Sequence, residues 1–227
     1  MTGPLCAAAH LRAAKIDGNW VLLDIRDESY AVLDDVASAF WDIMTESRAT
    51  APRLAGLAHG FGEEPGRVAA DYATFVHDCL RQGLVARPGQ VARDLAPAPQ
   101  AARSPWLPPV AAAFGALFST AHHLKRHGFR ATYERYAALP RGRGGADVAR
   151  CLRPFRRAEN LYVPARAPED CLLRSLALYR YLNAAGVAAE HVIGVQRFPF
   201  EAHAWVEVAG RPVLQAGTGS YTGLARM

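Results

Sequence analysis

The fold of this 227-residue chain is decided by one stretch, which begins Pro168-Glu-Asp-Cys-Leu-Leu-Arg-Ser-Leu-Ala-Leu178 and closes with Phe200-Glu-Ala-His-Ala-Trp-Val-Glu-Val208. Its first part predicts a helix, because apolar residues recur at helical spacing and Gly186 follows where a helix would stop. Two short apolar runs, 190–196 and 203–208, are rich in Val, Ile and Trp and predict strands joined by residues 197–200. A cysteine at a helix start is thus followed by a histidine on a strand.

Cys171 and His203 are the candidate catalytic pair. Asp170 is a good N-cap, which places Cys171 in the first helical turn, where unbonded backbone N–H groups and the helix dipole favour a thiolate. The acidic Glu169 and Asp170 oppose that charge, so a histidine that takes the thiol proton and later protonates a leaving amine matters more. Spacing alone leaves two interpretations open, since a lone cysteine on an apolar helix and a lone histidine on a strand are more often structural.

Three segments resemble the leader peptidase of lasso-peptide biosynthesis. They are Cys171-Leu-Leu-Arg-Ser-Leu-Ala-Leu178, Val192-Ile-Gly-Val195 and Pro199-Phe-Glu-Ala-His-Ala-Trp-Val-Glu207. The resemblance implies a transglutaminase-like, papain-related fold in which Cys171 is the nucleophile and His203 is the general base. It implies a cysteine peptidase without a cofactor, and the sequence contains no GxxxxGK[ST] phosphate loop that would support ATP binding.

The third residue of the family's catalytic triad is an Asp on the next strand. It would fall near Leu214 or Gln215, where this chain has a glutamine and no Asp. A side-chain amide oxygen can accept the imidazole N–H but has no charge to stabilise imidazolium. Glu207 is the other nearby acid, but it lies about two pleats from His203 along a regular strand. We therefore predict that Gln215, rather than Glu207, orients His203.

The composition is that of a globular protein, with 51% hydrophobic and 21% charged residues. No apolar run is long enough to span a membrane, and the N-terminus lacks the pattern of a signal peptide. The four cysteines lack CxxC spacing, which indicates reduced thiols and a cytoplasmic protein. His123 and His127 could share a helix face, but no third ligand is evident, so a solvated face is favoured over a metal site.

Charge differs between two parts of the chain. Residues 1–90 contain 8 Lys and Arg against 12 Asp and Glu, a balance of −4, whereas residues 91–227 contain 18 against 9, a balance of +9. Such a split favours two domains with different partners. Nucleic acid is not expected as a partner, because basic and aromatic residues are not interleaved and the first part is acidic.

The N-terminal part predicts three strands followed by three helices. The strands are expected within 8–16, 20–25 and 30–33, and the helices over 34–48, 53–59 and 65–82. Four segments resemble the winged-helix recognition element of ribosomal-peptide maturation enzymes, a module shared with the peptide chaperone of pyrroloquinoline quinone biosynthesis. They are Gly18-Asn-Trp-Val-Leu-Leu-Asp-Ile25, Tyr30-Ala-Val-Leu-Asp34, Ala39-Phe-Trp41 and Phe75…Leu80…Gly83-Leu-Val85. A winged-helix domain that only packs or binds DNA is the alternative.

The resemblance implies that an exposed third strand accepts the leader of a precursor peptide as an additional strand. The strand edge would consist of Tyr30, Ala31, Val32 and Leu33. The wall of the pocket beside it would come from the third helix, through Tyr72, Phe75, Val76 and Cys79.

The expected architecture is an α+β protein of two domains. A recognition element covers residues 1–88, a Pro- and Ala-rich linker covers 89–109, and a transglutaminase-like domain covers 110–227, with helices ahead of an antiparallel sheet. Helices are expected over 110–127 and 147–157, and the one over 129–139 either continues the first or is separate.

The predicted function is lasso-peptide maturation. The first domain would capture the leader, and the second would cut it from the core peptide. A separate asparagine-synthetase-like macrolactam synthetase would then close the core. The alternatives are a non-catalytic leader-binding scaffold and acyl transfer to an amine, since transglutaminases share the fold.

Overall fold

A computed structural model describes residues 5–46, 49–87, 109–162, 171–214 and 218–227 of the chain. The chain divides into two compact units, Met1–Ala96 and Pro97–Met227. Each unit combines helices with antiparallel strands, which confirms the predicted α+β class. The predicted linker lies outside the described residues except for its last residue, Pro109, at which a helix begins.

The first unit confirms the predicted order of three strands followed by three helices. Its elements are β1 (Cys6–Ala7), β2 (Leu11–Ile16), β3 (Asn19–Asp24), β4 (Ser29–Val32), α1 (Asp35–Thr45), α2 (Thr50–Phe61), α3 (Pro65–Arg81) and β5 (Val85–Ala86). Strands β2, β3 and β4 form one antiparallel sheet in that order. The short β1 and β5 pair separately, and two residues each are too few to give an alternating pattern in the sequence.

Local chemistry explains the hairpin and helix start of this unit. Asp17 and Gly18 join β2 to β3 with φ of 49° and 89°, as a two-residue turn with both central residues left-handed requires. The Asp34 carboxylate accepts a hydrogen bond from the N–H of Ala37 and caps α1. The indole N–H of Trp20 donates to Asp42 at 2.8 Å, which ties the hairpin to α1.

The second unit consists of three helical elements followed by a sheet. Its elements are α4 (Pro109–Ala137), α5 (Val148–Tyr162), α6 (Cys171–Ala184), β6 (Ala189–Gln196), β7 (Glu201–Val208), β8 (Arg211–Val213) and β9 (Thr222–Arg226), with a 3-10 turn at Thr218–Ser220. The strand order is β8-β7-β6-β9, and every pair is antiparallel. Helices ahead of an antiparallel sheet are what we predicted. Within the described ranges, no helix combines the length and apolar character needed to cross a bilayer.

Gly128 divides α4 into two helical segments. Its φ of 75° and ψ of 179° are not helical, and only glycine adopts such a conformation readily. The hydroxyls of Thr120 and Tyr136 are 2.9 Å apart, although sixteen residues of straight helix would span about 24 Å. The chain therefore folds back at Gly128, and the two helices predicted over 110–127 and 129–139 are separate.

The packing of α6 on the sheet brings its first residue to the turn end of the β6–β7 hairpin. Asn183, near the end of α6, donates to the carbonyl of Ala189 at the start of β6. Ser175, two turns earlier, meets the side chain of His191 farther along β6. Helix and strand therefore run in opposite directions, and Cys171 lies toward the end of β6, where β7 begins.

Candidate active site

Cys171 is the first residue of α6, and its side chain is half-buried. The first N–H groups of a helix have no partners within the helix, so the thiol lies where an anion is stabilised. Arg174, in the same turn, pairs with Glu159 of α5 at 2.5 Å. The predicted cap Asp170 and its neighbour Glu169 lie outside the described residues.

His203 lies near the start of β7, directly opposite Gly194 of β6. Its ring is stacked with the indole of Trp205, with centroids 6.2 Å apart and an interplanar angle of 16°. A second aromatic ring, that of Tyr221, lies 5.3 Å away. The imidazole is half-buried, so it is packed on aromatic surface and still accessible from solvent.

Tyr221 packs beside the candidate base. It immediately precedes β9, and its ring lies against those of His203 and Trp205. Burial, and after it the neighbouring carboxylate of Glu201, raise the pKa of Tyr221. Sequence reasoning missed Tyr221, because its surroundings near the C-terminus match no motif.

Gly194 makes room for this aromatic cluster. A Cβ atom at that position would lie 2.5 Å from the Trp205 indole and 2.8 Å from the carbonyl oxygen of Thr222. Such distances are well inside van der Waals contact, so the ring lies across β6 only because residue 194 has no side chain. A glycine inside a strand often marks a close approach of this kind, and that signal was present in the sequence.

The faces of β7 separate the candidate base from the body of α6. His203, Trp205 and Glu207 alternate with Val206 and share one face. Val206 belongs to the other face, where it lines a small cavity together with Ser175 of α6. Among the described residues, no hydrogen bond joins Cys171 to His203, and the ring of Tyr221 packs on that of His203. Catalytic hydrogen bonds are often long without substrate and shorten in the reacting complex.

Of the two candidate orienting residues, the structure describes Glu207 but not Gln215. Gln215 lies outside the described residues, so its role stays a prediction. Both carboxylate oxygens of Glu207 already accept hydrogen bonds, one from Trp205 Nε1 at 2.8 Å and the other from Arg226 at 2.7 Å. Burial would raise the pKa of Glu207, but these two hydrogen bonds outweigh it and the pKa is lowered. Glu207 therefore supports Trp205 rather than His203 directly.

His191 is the other histidine of the hairpin, and it is fully buried. The hydroxyl of Ser175 donates to the carbonyl of Leu172 at 3.1 Å and lies 2.9 Å from His191 Nε2. Ser175 therefore links the Nε2 atom of His191 to the first turn of α6. Burial lowers the pKa of His191 to about 3, so the ring is neutral and inaccessible to substrate. It braces the first turn of α6.

The described residues offer little for a metal ion. The rings of His123 and His127 lie 5.5 Å apart on α4, as their spacing predicts. In the part of the chain that the structure describes, no group of three or more His, Cys, Asp or Glu side chains could hold a metal.

In the first unit, β4 is an edge strand of the sheet that the described residues form. It is the last strand of the sheet β2-β3-β4. The N–H of Leu33 donates to the carbonyl of Trp20, and Val32 is opposite Val21. Because hydrogen-bonded and non-hydrogen-bonded pairs alternate in an antiparallel ladder, the main-chain groups of Tyr30 and Val32 point away from β3. The Val32 side chain is 45% exposed.

The side chains predicted to line the leader pocket divide into two kinds. Tyr72, Phe75 and Val76 of α3 are half-buried, and they pack at the margin of the unit's core together with Leu33. Cys79 is only 4% exposed and belongs to the core itself. Burial raises its pKa to about 11. Cys79 is therefore a core residue and does not contribute to a surface groove, because it lies one turn beyond Phe75 and Val76, where α3 faces the core.

Comparisons with known proteins bear on both units. The profile of the transglutaminase-like superfamily matches residues 115–226, and the profile of coenzyme PQQ synthesis protein D (PqqD) matches residues 19–85. Over 47 residues, the chain is 49% identical to the microcin J25-processing protein McjB of Escherichia coli; the match covers 21% of this chain and 23% of McjB. The chain thus matches less than a quarter of that relative's length.

One solved structure is also similar. It is TbiB1 in complex with the TbiA(beta) leader peptide, at 20% identity and a TM-score of 0.32, and the match covers 42% of this chain and 99% of that chain.

Together, these observations define a protein in which a PqqD-type domain precedes a transglutaminase-like domain. This domain combination and the partial match to McjB support a relation to the B proteins of lasso-peptide biosynthesis.

Proposed function

We propose that this protein binds the leader of a ribosomally made precursor peptide through residues 1–88 and cuts leader from core by thiol catalysis in residues 110–227. The observation that carries the proposal is the cluster at the start of α6. Cys171 is the first residue of α6 and lies toward the turn between β6 and β7, and His203 lies near the start of β7. A thiol and an accessible imidazole at one end of a transglutaminase-like unit are the groups that acyl chemistry requires.

In the proposed reaction, Cys171 gives its proton to His203 and its sulfur attacks the carbonyl carbon of the leader–core peptide bond. The C–N bond breaks while His203 transfers the proton to the departing core amine, and the leader remains as a thioester on Cys171. Water then attacks the thioester with His203 as its base. The C–S bond breaks, the leader leaves with a new carboxyl group, and the thiol is restored. Gln215 is proposed to orient His203.

Leader capture is proposed to occur on β4. An extended peptide would bond to the outward main-chain groups of Tyr30 and Val32 and add a fourth strand to the sheet. Its side chains would contact the half-buried Tyr72, Phe75 and Val76. Ala31 and Leu33 hold β4 against β3, because their main-chain groups face that strand.

The proposed partner after cleavage is an asparagine-synthetase-like macrolactam synthetase, which would join the freed core amine to a side-chain carboxylate. The four cysteines, Cys6, Cys79, Cys151 and Cys171, are free thiols. Free thiols are typical of reducing compartments, which supports a cytoplasmic site of action.

Mass spectrometry of precursor incubated with the full-length protein tests the peptidase. Wild type should yield two peptides, and Cys171→Ala should yield none. Cys151→Ala is the matched control, since Cys151 is also half-buried in the same unit and burial raises its pKa. A joined adduct would indicate acyl transfer, and an intact precursor with wild type would indicate a binding scaffold. Cleavage by Cys171→Ala at the wild-type rate would remove Cys171 from the mechanism.

Fluorescence anisotropy with labelled leader peptide tests the capture site on β4. Val32→Pro removes the outward N–H, whereas Val32→Ala removes only side-chain atoms. Leader affinity should fall by at least about tenfold with Pro, more than the loss of one hydrogen bond, because the added strand also loses its register. Equal affinities for the two variants would exclude main-chain pairing at this edge.

A further inference from the structure

Two aromatic rings pack next to His203, and one of them is anchored by a carboxylate. The indole N–H of Trp205 donates to Glu207 at 2.8 Å, whereas the ring of Tyr221 lies 5.3 Å from that of His203. We call Trp205 and Tyr221 the aromatic pair. Their own rings lie 6.2 Å apart, so the three rings form one cluster.

The anchor limits how Trp205 can move. Arg226 also donates to Glu207, at 2.7 Å. This second hydrogen bond fixes the carboxylate to which Trp205 donates. Gly194 leaves a gap in β6 that the Trp205 indole fills. The Trp205 ring is buried and its polar end is fixed, so this side of the surface presented to His203 has few alternative rotamers.

Such a surface matters because a general base must be oriented. In triads of the Asp type, a buried carboxylate holds the imidazole in place and stabilises its charged form. This chain has Gln215 at the corresponding place in the sequence, and an amide has no charge to contribute. An imidazole held by a neutral group needs further contacts to keep one orientation.

We propose that the aromatic pair positions the His203 ring toward Cys171, with Glu207 acting through Trp205 as its anchor. The expected loss of cleavage rate rests on the proposed peptidase function, whereas the expected position of the His203 ring does not. Trp205 and Tyr221 are positioning residues, since they contact the base and not the scissile bond.

Tyr221→Leu removes the ring and the hydroxyl, and Tyr221→Phe keeps the ring alone. Tyr162→Leu is the matched control, because Tyr162 is a half-buried tyrosine of the same unit whose ring contacts Phe114 at 5.6 Å. The full-length variants are compared by single-turnover cleavage of the precursor and by leader affinity. In parallel, NMR of histidine-labelled protein follows the His203 ring protons, assigned with His203→Gln.

We expect Tyr221→Leu to slow the chemical step by about tenfold, as the loss of one aromatic contact would, with leader affinity unchanged. The His203 resonances should shift as the ring current of Tyr221 disappears. Tyr221→Phe should recover part of the rate and most of the shift. The control should alter neither.

Unchanged His203 resonances in Tyr221→Leu would overturn the positioning role, and so would an equal slowing by the control. If Tyr221→Leu proves unfolded, the Phe variant decides: a rate below wild type with His203 resonances moved from their wild-type positions supports the positioning role, and wild-type rate and resonances refute it. If wild type cleaves nothing, the proposed function fails, but the resonances still test the pair: a shift supports the positioning role, and its absence refutes it.

Discussion

His191 and His203 lie on the two strands of one hairpin, and they face opposite ways. His191 is paired with Val206, and His203 is paired with Gly194. The face of His191 packs on α6, which buries the ring completely and holds Nε2 against Ser175. The face of His203 is open to solvent at its edge and is covered by the aromatic pair.

The difference between these two histidines shows how one residue type takes two roles within one hairpin. Burial without a charged partner keeps His191 neutral and inert, because an imidazolium there would be desolvated and its Nδ1 has no partner among the described residues. His203 has a position from which it can exchange protons. Successive residues of a strand point to opposite faces of the sheet. His203 pairs with Gly194, three residues beyond His191 on β6, so the two histidines lie on opposite faces.

The largest expected effect compares the two histidines in catalysis. His203→Ala should slow leader cleavage by about 10²–10⁴-fold, the usual contribution of a general acid–base. His191→Gln should retain cleavage per folded molecule, since that side chain only braces α6. The rates are measured by mass spectrometry, and the folded fraction is measured by circular dichroism. Loss of cleavage in both variants, with both folded, would contradict the division of roles.

Substitutions at Gln215 test whether this side chain orients His203. The comparable contact of His191 is with Ser175. Gln215→Ala should slow cleavage by about 10–100-fold, less than the loss of a charged triad residue. Gln215→Asp should match or exceed wild type if the main chain at 215 occupies the place of the family's Asp. If the site has adapted to the longer side chain, Asp should behave like Ala. Unchanged rates in both variants would leave Cys171 and His203 as a dyad.

The pH dependence of stability should be traceable to His191. Its pKa is about 3 when folded and close to 6.5 when unfolded, so the unfolded chain binds more protons between these values. The stabilisation from keeping His191 neutral is therefore complete above pH 6.5 and is lost as the pH falls toward 3. Between pH 7.5 and pH 5 the free energy of unfolding should fall by about 2 kcal/mol.

Urea unfolding of wild type and His191→Gln at both pH values measures this term. The carboxylates and other histidines are common to both proteins, so the difference between the two pH slopes isolates His191. Parallel slopes would show that His191 is not the group responsible.

The smallest expected effect comes from filling the gap in β6. Gly194→Ala should destabilise the protein by about 1 kcal/mol, at the low end for overpacking, because the indole of Trp205 has to shift. Gly115→Ala on α4 is the control. A Cβ there meets nothing within 4 Å, so better helix propensity should stabilise the protein by up to about 1 kcal/mol. Trp fluorescence during urea unfolding measures both.

Much of the fold was predictable because its signals are local. The hairpin turn at Asp17 and Gly18, the cap at Asp34 and the helix start at Pro65 depend on side chains close to the main-chain groups that they satisfy. The break in α4 was left open by the sequence, since a single glycine within a helical pattern is compatible with both outcomes. The contact of Thr120 with Tyr136 decides it.

The candidate site was predictable only in part. Cys171 and His203 were identified from the sequences of two motif segments. Tyr221 was not, because its position depends on strand order: β9 lies beside β6, although it is the last strand in the chain. Likewise, α3 carries Tyr72, Phe75, Val76 and Cys79 at helical spacing. Which of them enters the core depends on the sheet against which α3 packs.

The sequence by itself determined the order of strands and helices, the division of charge between the two parts of the chain and the presence of a cysteine at a helix start. These properties depend on neighbouring residues and on side-chain periodicity. Only the tertiary structure decided which histidine is buried, which carboxylate holds the Trp205 indole and which rings pack against His203. Those features depend on side chains that meet across strands and helices, where burial and hydrogen bonding, not residue type, determine what each group can do.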